Sequence, residues 1–253
     1  MFNINKLLHN RLKAKEFIEN SAFHHFLCDD LIDRLGQINK VFKNILLISP
    51  ILENKIQKQL KNKYYNCSII SQNVFEVENS IVINQQNFDL ILFPFGLHWI
   101  EDVQHFLKQI YGALSKDGVF ICNFAGGGSL SNLRLKLIET ESKYSNNHYL
   151  HISPFIQFQH VVSLLQQAGF NENIIDFETV ELEYDSPLKL MKALKNCGES
   201  NVMANITHSI TKDMYTELKK QEAVNFIDIV NLITFVSTPT KQSIKLFEKR
   251  FIN

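Results

Sequence analysis

Phe88-Asp89-Leu90-Ile91-Leu92-Phe93 is a near-continuous apolar run, the pattern of a parallel strand buried on both faces. Upstream, Asn44-Ile45-Leu46-Leu47-Ile48-Ser49 has the same character, and Ile51, Leu52, Ile56 and Leu60 follow at helical spacing. Cys67-Ser68-Ile69-Ile70 reads as a second short strand. Downstream, Glu101 and Asp102 place negative charge at the positive end of a helix, whose buried stripe is Val103, Phe106, Leu107, Ile110 and Leu114. Asp117-Gly118 then turns the chain into a strand over 119–124. Strands alternating with helices imply an α/β fold, a mostly parallel sheet with helices on both faces. The step from Asn44 to Phe88 is 44 residues, and one βαβ unit takes roughly 30 or more. One crossover helix is therefore expected to be reduced or missing, with Ile81-Val82-Ile83 at most a stub strand.

Working outward, residues 5–35 read as two helical segments. Leu7, Leu8, Leu12, Phe17 and Ile18 stripe the first, Phe26, Leu27, Leu31 and Leu35 the second, and Gly36 stops it. Ala125-Gly126-Gly127-Gly128-Ser129 reads as a flexible loop before a helix carrying Leu130, Leu133, Leu137 and Ile138. A helix over 161–168 ends at Gly169, and two short strands follow at 173–177 and 179–184. Pro187 opens a helix over 188–194, residues 208–222 are helical, 226–236 is a strand, and an amphipathic helix starts at Lys241. The division expected is a helical segment at 1–40, an α/β domain at 41–240 with a helical insertion over about 129–210, and a tail at 241–253.

Lysine plus arginine equals aspartate plus glutamate at 26 each, a balance that argues against nucleic acid or an anionic membrane as the main partner. Four cysteines without a CxxC pair argue against a metal cluster or disulfide framework and fit a reducing cytosol. Neither a signal peptide nor an apolar run of transmembrane length occurs, so a cytoplasmic protein is expected. HExxH and P-loop motifs are absent, no catalytic residue stands out, and no metal site is expected.

The turn after the first strand departs from what a nucleotide-binding α/β unit needs there. Such a unit places glycines at that turn so that backbone can approach the ligand. Here the turn is Ser49-Pro50-Ile51-Leu52-Glu53, and none of the nine glycines lies between Gly36 and Gly96.

Phe88-Asp89-Leu90-Ile91-Leu92, Leu97-His98-Trp99-Ile100-Glu101-Asp102 and Leu114…Asp117-Gly118-Val119-Phe120 together resemble class I S-adenosylmethionine (SAM) dependent methyltransferases. Gly127-Gly128-Ser129-Leu130 with Leu133-Arg134, His151-Ile152-Ser153-Pro154-Phe155, and Leu190-Met191 with Gly198-Glu199-Ser200-Asn201 narrow the resemblance. So do Asn5-Lys6-Leu7-Leu8…Arg11 and Phe23-His24-His25-Phe26-Leu27. These blocks resemble the family of the mitochondrial complex I assembly factor that hydroxylates an arginine, and its alphaproteobacterial relatives. Biotin-pathway malonyl-carrier methyltransferases are similar more generally. The resemblance implies a reduced class I methyltransferase (Rossmann-like) fold, SAM as cofactor, and a protein side chain as target, an arginine of a respiratory complex I subunit. The family's first strand resembles Asp-Leu-Gly-Cys-Gly-x-Gly, whose glycines are absent here. Its ribose-binding acid aligns near Ser71, and no aspartate occurs between Asp33 and Asp89.

The cofactor side is therefore expected at Ser49, Glu53, Ser71, Phe93, Pro94 and Phe95. A substrate or partner cleft is expected at Leu97, His98, Trp99, Gly127, Gly128, Arg134, His151, Ser153, Glu199, Ser200 and Asn201, because ligands of open α/β sheets bind at the carboxyl ends of the strands. Trp99 would pack an apolar group, and His98, Arg134, His151 and Glu199 would supply exposed polar contacts. The plainer alternative keeps Trp99 in the core, makes His98 a helix cap and the glycines a simple loop, and gives Ser153 a capping role. Two functions remain open: a SAM-using transferase or hydroxylase, and a binding or assembly factor on a methyltransferase fold that has lost its cofactor loop.

Overall fold

A computed structural model describes residues 2–48, 51–77, 87–145, 149–204, 210–220 and 225–240. In chain order the elements are α1 (Ile4–Glu19), α2 (Ala22–Gly36), β1 (Asn44–Ile48), α3 (Glu53–Lys63), β2 (Ser68–Gln72), β3 (Phe88–Pro94), α4 (Val103–Ala113), β4 (Leu114–Ala125), α5 (Ser131–Glu141), α6 (Phe158–Ala168), β5 (Glu172–Tyr184), α7 (Pro187–Asn196), α8 (Lys212–Lys219) and β6 (Phe226–Thr238). The six strands form one sheet in the order β2-β1-β3-β4-β6-β5.

β1 pairs in parallel with both β2 and β3, and β3 with β4. As β4 advances from Lys116 to Gly126 its hydrogen-bond partners retreat from Thr240 to Asn231, so β6 runs antiparallel to it. β5 is likewise antiparallel to β6, since Asn171 bonds Thr238 and Thr179 bonds Asn231. The expected mixed α/β fold, mostly parallel, is what the chain forms. Burial follows position in the sheet. β1 and β3 are buried nearly end to end, while β2 and β5, the edge strands, alternate between partly covered and exposed residues.

The chain divides into two compact units. One comprises Ser21–Phe124, Gln159–Asp176 and Thr234–Asn253; the other comprises Met1–Asn20, Ala125–Phe158 and Phe177–Ile233. In the first, Asp89 accepts hydrogen bonds from the backbone N–H groups of Lys43 and Asn44, both at 3.0 Å, tying β3 to the start of β1. Between β2 and β3 the described residues hold one 3-10 turn, Val74–Val77, and no α-helix; the expected stub at 81–83 lies outside the described residues, as does the helix expected from Lys241. The Asp117-Gly118 turn appears as a bulge at the start of β4, where Phe88 pairs with Leu114 and Leu90 with Val119. In the second unit, α1 packs on α7, and α5 and α7 pack on α8. α1 buries only Leu7, Ala14 and Ile18, leaving Leu12 and Phe17 exposed, so the expected stripe is narrower than its leucines. The two strands expected at 173–177 and 179–184 are one strand, β5; no glycine or proline interrupts that stretch.

Candidate functional site

In the first unit the expected cofactor residues lie at the carboxyl ends of β1, β2 and β3. Ser49 and Pro50 fall outside the described residues. Past them Ile51 is buried, and Leu52 stands at the start of α3 with φ 53° and no side-chain cap. A left-handed backbone at a residue other than glycine costs about 1–2 kcal/mol. This turn thus has, at Leu52, a conformation that favours glycine, built from leucine. Glu53 opens α3, and Ser71 lies exposed near the end of β2. Gln57 joins them, donating to Glu53 Oε1 at 2.8 Å and to Ser71 Oγ at 3.2 Å.

At the exit of β3, Phe93 and Pro94 are buried, the Phe93 ring lying 6.4 Å from Phe75 and 5.5 Å from Phe106. Phe95 follows with φ 44°, a second bulky residue in the left-handed region. Its N–H donates to both the carbonyl and the side-chain oxygen of Asn123, at 3.0 and 2.9 Å. Its ring meets Phe23 at 5.7 Å, His98 at 4.8 Å and His24 at 6.4 Å. Leu97–Trp99 is a 3-10 turn, and its residues are all buried.

His98 is 5% and Trp99 3% exposed. The expectation of an exposed polar His98 is corrected here: its ring lies edge-on to Phe95 and tilted against Trp99, 4.8 and 5.3 Å away. Nor does it cap the next helix, since Asp102 accepts from His105 N–H. The cause is α2. Phe23 and His24 cover Phe95, the Leu27 carbonyl accepts from Asn123 Nδ2 at 2.8 Å, and Cys28 Sγ reaches the Ile51 carbonyl at 3.6 Å. One helix therefore touches the exits of β1, β3 and β4. Burial pushes the Cys28 thiol up to about 12, so it is no nucleophile.

In the second unit the triple glycine is a bound segment rather than a loose loop. Gly126 N–H donates to the Asn231 carbonyl at 2.7 Å, and Asn231 Nδ2 donates to the Gly127 carbonyl at 2.8 Å. Ser129 Oγ donates to the Gly126 carbonyl and accepts from Asn231 N–H. Gly128, at φ +87°, makes the turn that an L side chain would strain. Leu130 precedes α5 with φ 55° and no side-chain cap. The cap comes instead from β6: Asp228, fully buried, accepts from the N–H groups of Asn132 and Leu133 at 3.3 and 2.7 Å.

α5 so anchored carries Arg134, whose two terminal nitrogens donate to the carbonyls of Ile152 at 3.1 Å and Ser153 at 3.0 Å. Glu141, at the end of α5, takes the N–H of Tyr149 at 2.9 Å and meets His151 Nε2 at 3.2 Å. Asn201 donates to the Leu150 carbonyl at 2.8 Å. The residues expected in three separate sequence blocks (Arg134, His151 with Ser153, and Asn201) thus converge on the segment 149–153. Glu199 pairs with Arg11 at 2.9 Å and Ser200 accepts from Asn10 at 3.2 Å, placing both on α1. Burial lowers the tendency of Arg134 to hold its proton.

Asn123, Glu141, Asp228 and Asn231 were not anticipated. The available signal was a polar residue inside an otherwise apolar strand, as at Asn123, Asp228 and Asn231. Among the described residues no group of three or more His, Cys, Asp or Glu is placed to hold a metal ion, and no helix is long and apolar enough to cross a membrane.

A family model described as "Methyltransferase domain" matches residues 40–122, which span β1 to β4. A protein of Rickettsia prowazekii named "Putative methyltransferase RP459" is 43% identical over 202 residues, covering 74% of this chain and 89% of its own. The human "Arginine-hydroxylase NDUFAF5, mitochondrial" is 30% identical over 181 residues, covering 69% of this chain and 51% of that one; this chain spans about half the length of that relative. A "Malonyl-[acyl-carrier protein] O-methyltransferase" of Methylovorus is 28% identical over 115 residues, covering 46% of this chain and 37% of its own.

Proposed function

The chain belongs to the methyltransferase-domain family of the Rickettsia relative, and on that premise we propose that it serves respiratory complex I assembly by binding a protein partner, with SAM held weakly or not at all. One observation carries this reading. At the carboxyl ends of the parallel strands, Phe95 meets Phe23 and His24 of α2 edge-on, and a left-handed Leu52 stands just before α3. The fit to SAM is poor on the same grounds. Leucine in place of glycine keeps backbone away from a ligand, and Ser71 offers a ribose one hydroxyl where a carboxylate would accept two hydrogen bonds. No transfer step is therefore derived. The partner surface is the segment 149–153, whose backbone is tied to Arg134, Glu141 and Asn201.

A second reading, SAM-dependent modification of an arginine or another protein side chain, is favoured by Gln57, which holds Glu53 and Ser71 together as a polar pair. Calorimetry separates the two. SAM is titrated first, then purified subunits of respiratory complex I, with and without SAM. Subunit binding that ignores SAM supports the assembly reading. Binding or product formation that requires SAM supports the second. Absence of binding by every subunit overturns the complex I assignment.

A further inference from the structure

Arg134 is half-buried, and its hydrogen-bond acceptors among the described residues are two neutral carbonyls. Carbonyl oxygens satisfy N–H groups but do not neutralise a charge. Among the described residues no carboxylate pairs with this guanidinium, whereas Arg11 has one and Arg34 two. Burial is the cause that disfavours its charged form, with no compensating acid. A guanidinium has five N–H donors; two are spent on the carbonyls, and three remain. A second observation falls on the same loop. Ser153 is 4% exposed, and its Oγ has no hydrogen-bond partner among the described residues. A buried hydroxyl left unpaired costs about 1–3 kcal/mol. The Ser153 carbonyl is itself an Arg134 acceptor, so the orphan hydroxyl and the uncompensated cation sit on one residue's span of chain. Both lack what an anion with lone pairs supplies.

We propose that Arg134 and Ser153 form a receiving site for a single carboxylate group. The guanidinium supplies charge and paired N–H donors, and the hydroxyl supplies a further donor. A carboxylate matches the site better than a phosphate, because one negative charge neutralises one guanidinium. A dianion would leave charge uncompensated in a partly desolvated place. The site rests on the reading of the segment 149–153 as the partner-binding surface and adds the chemistry that surface recognises: an acidic side chain of a protein partner, or a small carboxylic acid.

The protein has four arginines, so the Nε–H signals of the full chain labelled with 15N-arginine can be followed singly by NMR. Sodium acetate, a peptide with one glutamate, its glutamine counterpart and sodium phosphate are titrated at matched ionic strength. The expected result is a saturable shift of the Arg134 signal with acetate or the glutamate peptide and none with the glutamine peptide. Saturation by acetate points to a small acid as sufficient; saturation by the peptide alone points to an acidic side chain. Ser153→Ala removes an orphan hydroxyl, so it keeps the fold, and it should weaken carboxylate binding by about five-fold, the loss of one hydrogen bond. Absence of any saturable shift, tighter binding of phosphate than of carboxylate, or an unchanged affinity in Ser153→Ala overturns the proposal. The titration contains neither SAM nor a complex I subunit, so its failure is distinct from a failure of the function proposed above.

Discussion

Asp228→Ala tests how α5, the helix that carries Arg134, is held. Leu130 stands where a capping side chain would, in a left-handed conformation that offers no oxygen. Asp228 substitutes from β6, fully buried, with hydrogen bonds from Asn132 N–H at 3.3 Å, Leu133 N–H at 2.7 Å and Ile229 N–H at 2.8 Å. Losing a helix cap costs about 0.5–2 kcal/mol. The Leu133 N–H is then left buried and unpaired, for about 1–3 kcal/mol more. One cap and one orphan donor give a loss of about 2–4 kcal/mol. Asp228→Asn keeps an acceptor oxygen and loses the charge beside the helix dipole, so about 1–2 kcal/mol is expected. Urea unfolding followed by circular dichroism reads both. With a slope of about 3 kcal/mol per molar, the midpoint of Asp228→Ala should fall by about 1 M and that of Asp228→Asn by about half as much. A midpoint for Asp228→Ala within about 0.2 M of the parent would refute the assignment of this carboxylate as the cap of α5.

Gly96→Ala would place a Cβ 2.2 Å from the Phe93 ring, which is buried and has no room to swing; a loss of about 1–3 kcal/mol in urea unfolding is expected. Gly112→Ala meets nothing within 4 Å near the end of α4 and should gain about 0.5 kcal/mol in the same assay; the opposite order of the two variants would contradict the packing described at the β3 exit. Hydrogen bonds from Lys143 and Lys220 hold the Glu217 carboxyl at about 2, down from an ordinary 4.5. Because the folded value lies below the unfolded one, this contribution to stability is present above pH 4.5 and is lost as the pH falls towards 2; an NMR titration midpoint for Glu217 above 4 would show the pair is not formed.

The parallel core was legible because β1 and β3 bury nearly every residue, and strands of that kind read as unbroken apolar runs whatever surrounds them. β5 is one strand where two are expected, because its exposed edge position gives only a weak alternation. At the site, residue identity was legible and environment was not. His98 falls at the expected strand end, but it is 5% exposed and lies beside Phe95, which itself meets Phe23 and His24 of α2, some seventy residues earlier in the chain. Arg134 and Asn201 stand out in the sequence, yet what ties them to segment 149–153 is its carbonyls, which carry no sequence signal. Left-handed leucines at 52 and 130 were invisible for the opposite reason, since a reader expects glycine at such positions.

Whether the carboxyl ends of the parallel strands accept a cofactor decides between the two proposed functions. Isothermal calorimetry of SAM against the full chain measures this directly. On the proposed reading, Ile51, Leu52 and Ser71 should weaken SAM at least tenfold relative to a methyltransferase with a glycine loop, about 1.4 kcal/mol, or abolish binding. Heat consistent with micromolar or tighter SAM binding would contradict the account and return the chain to the SAM-dependent reading.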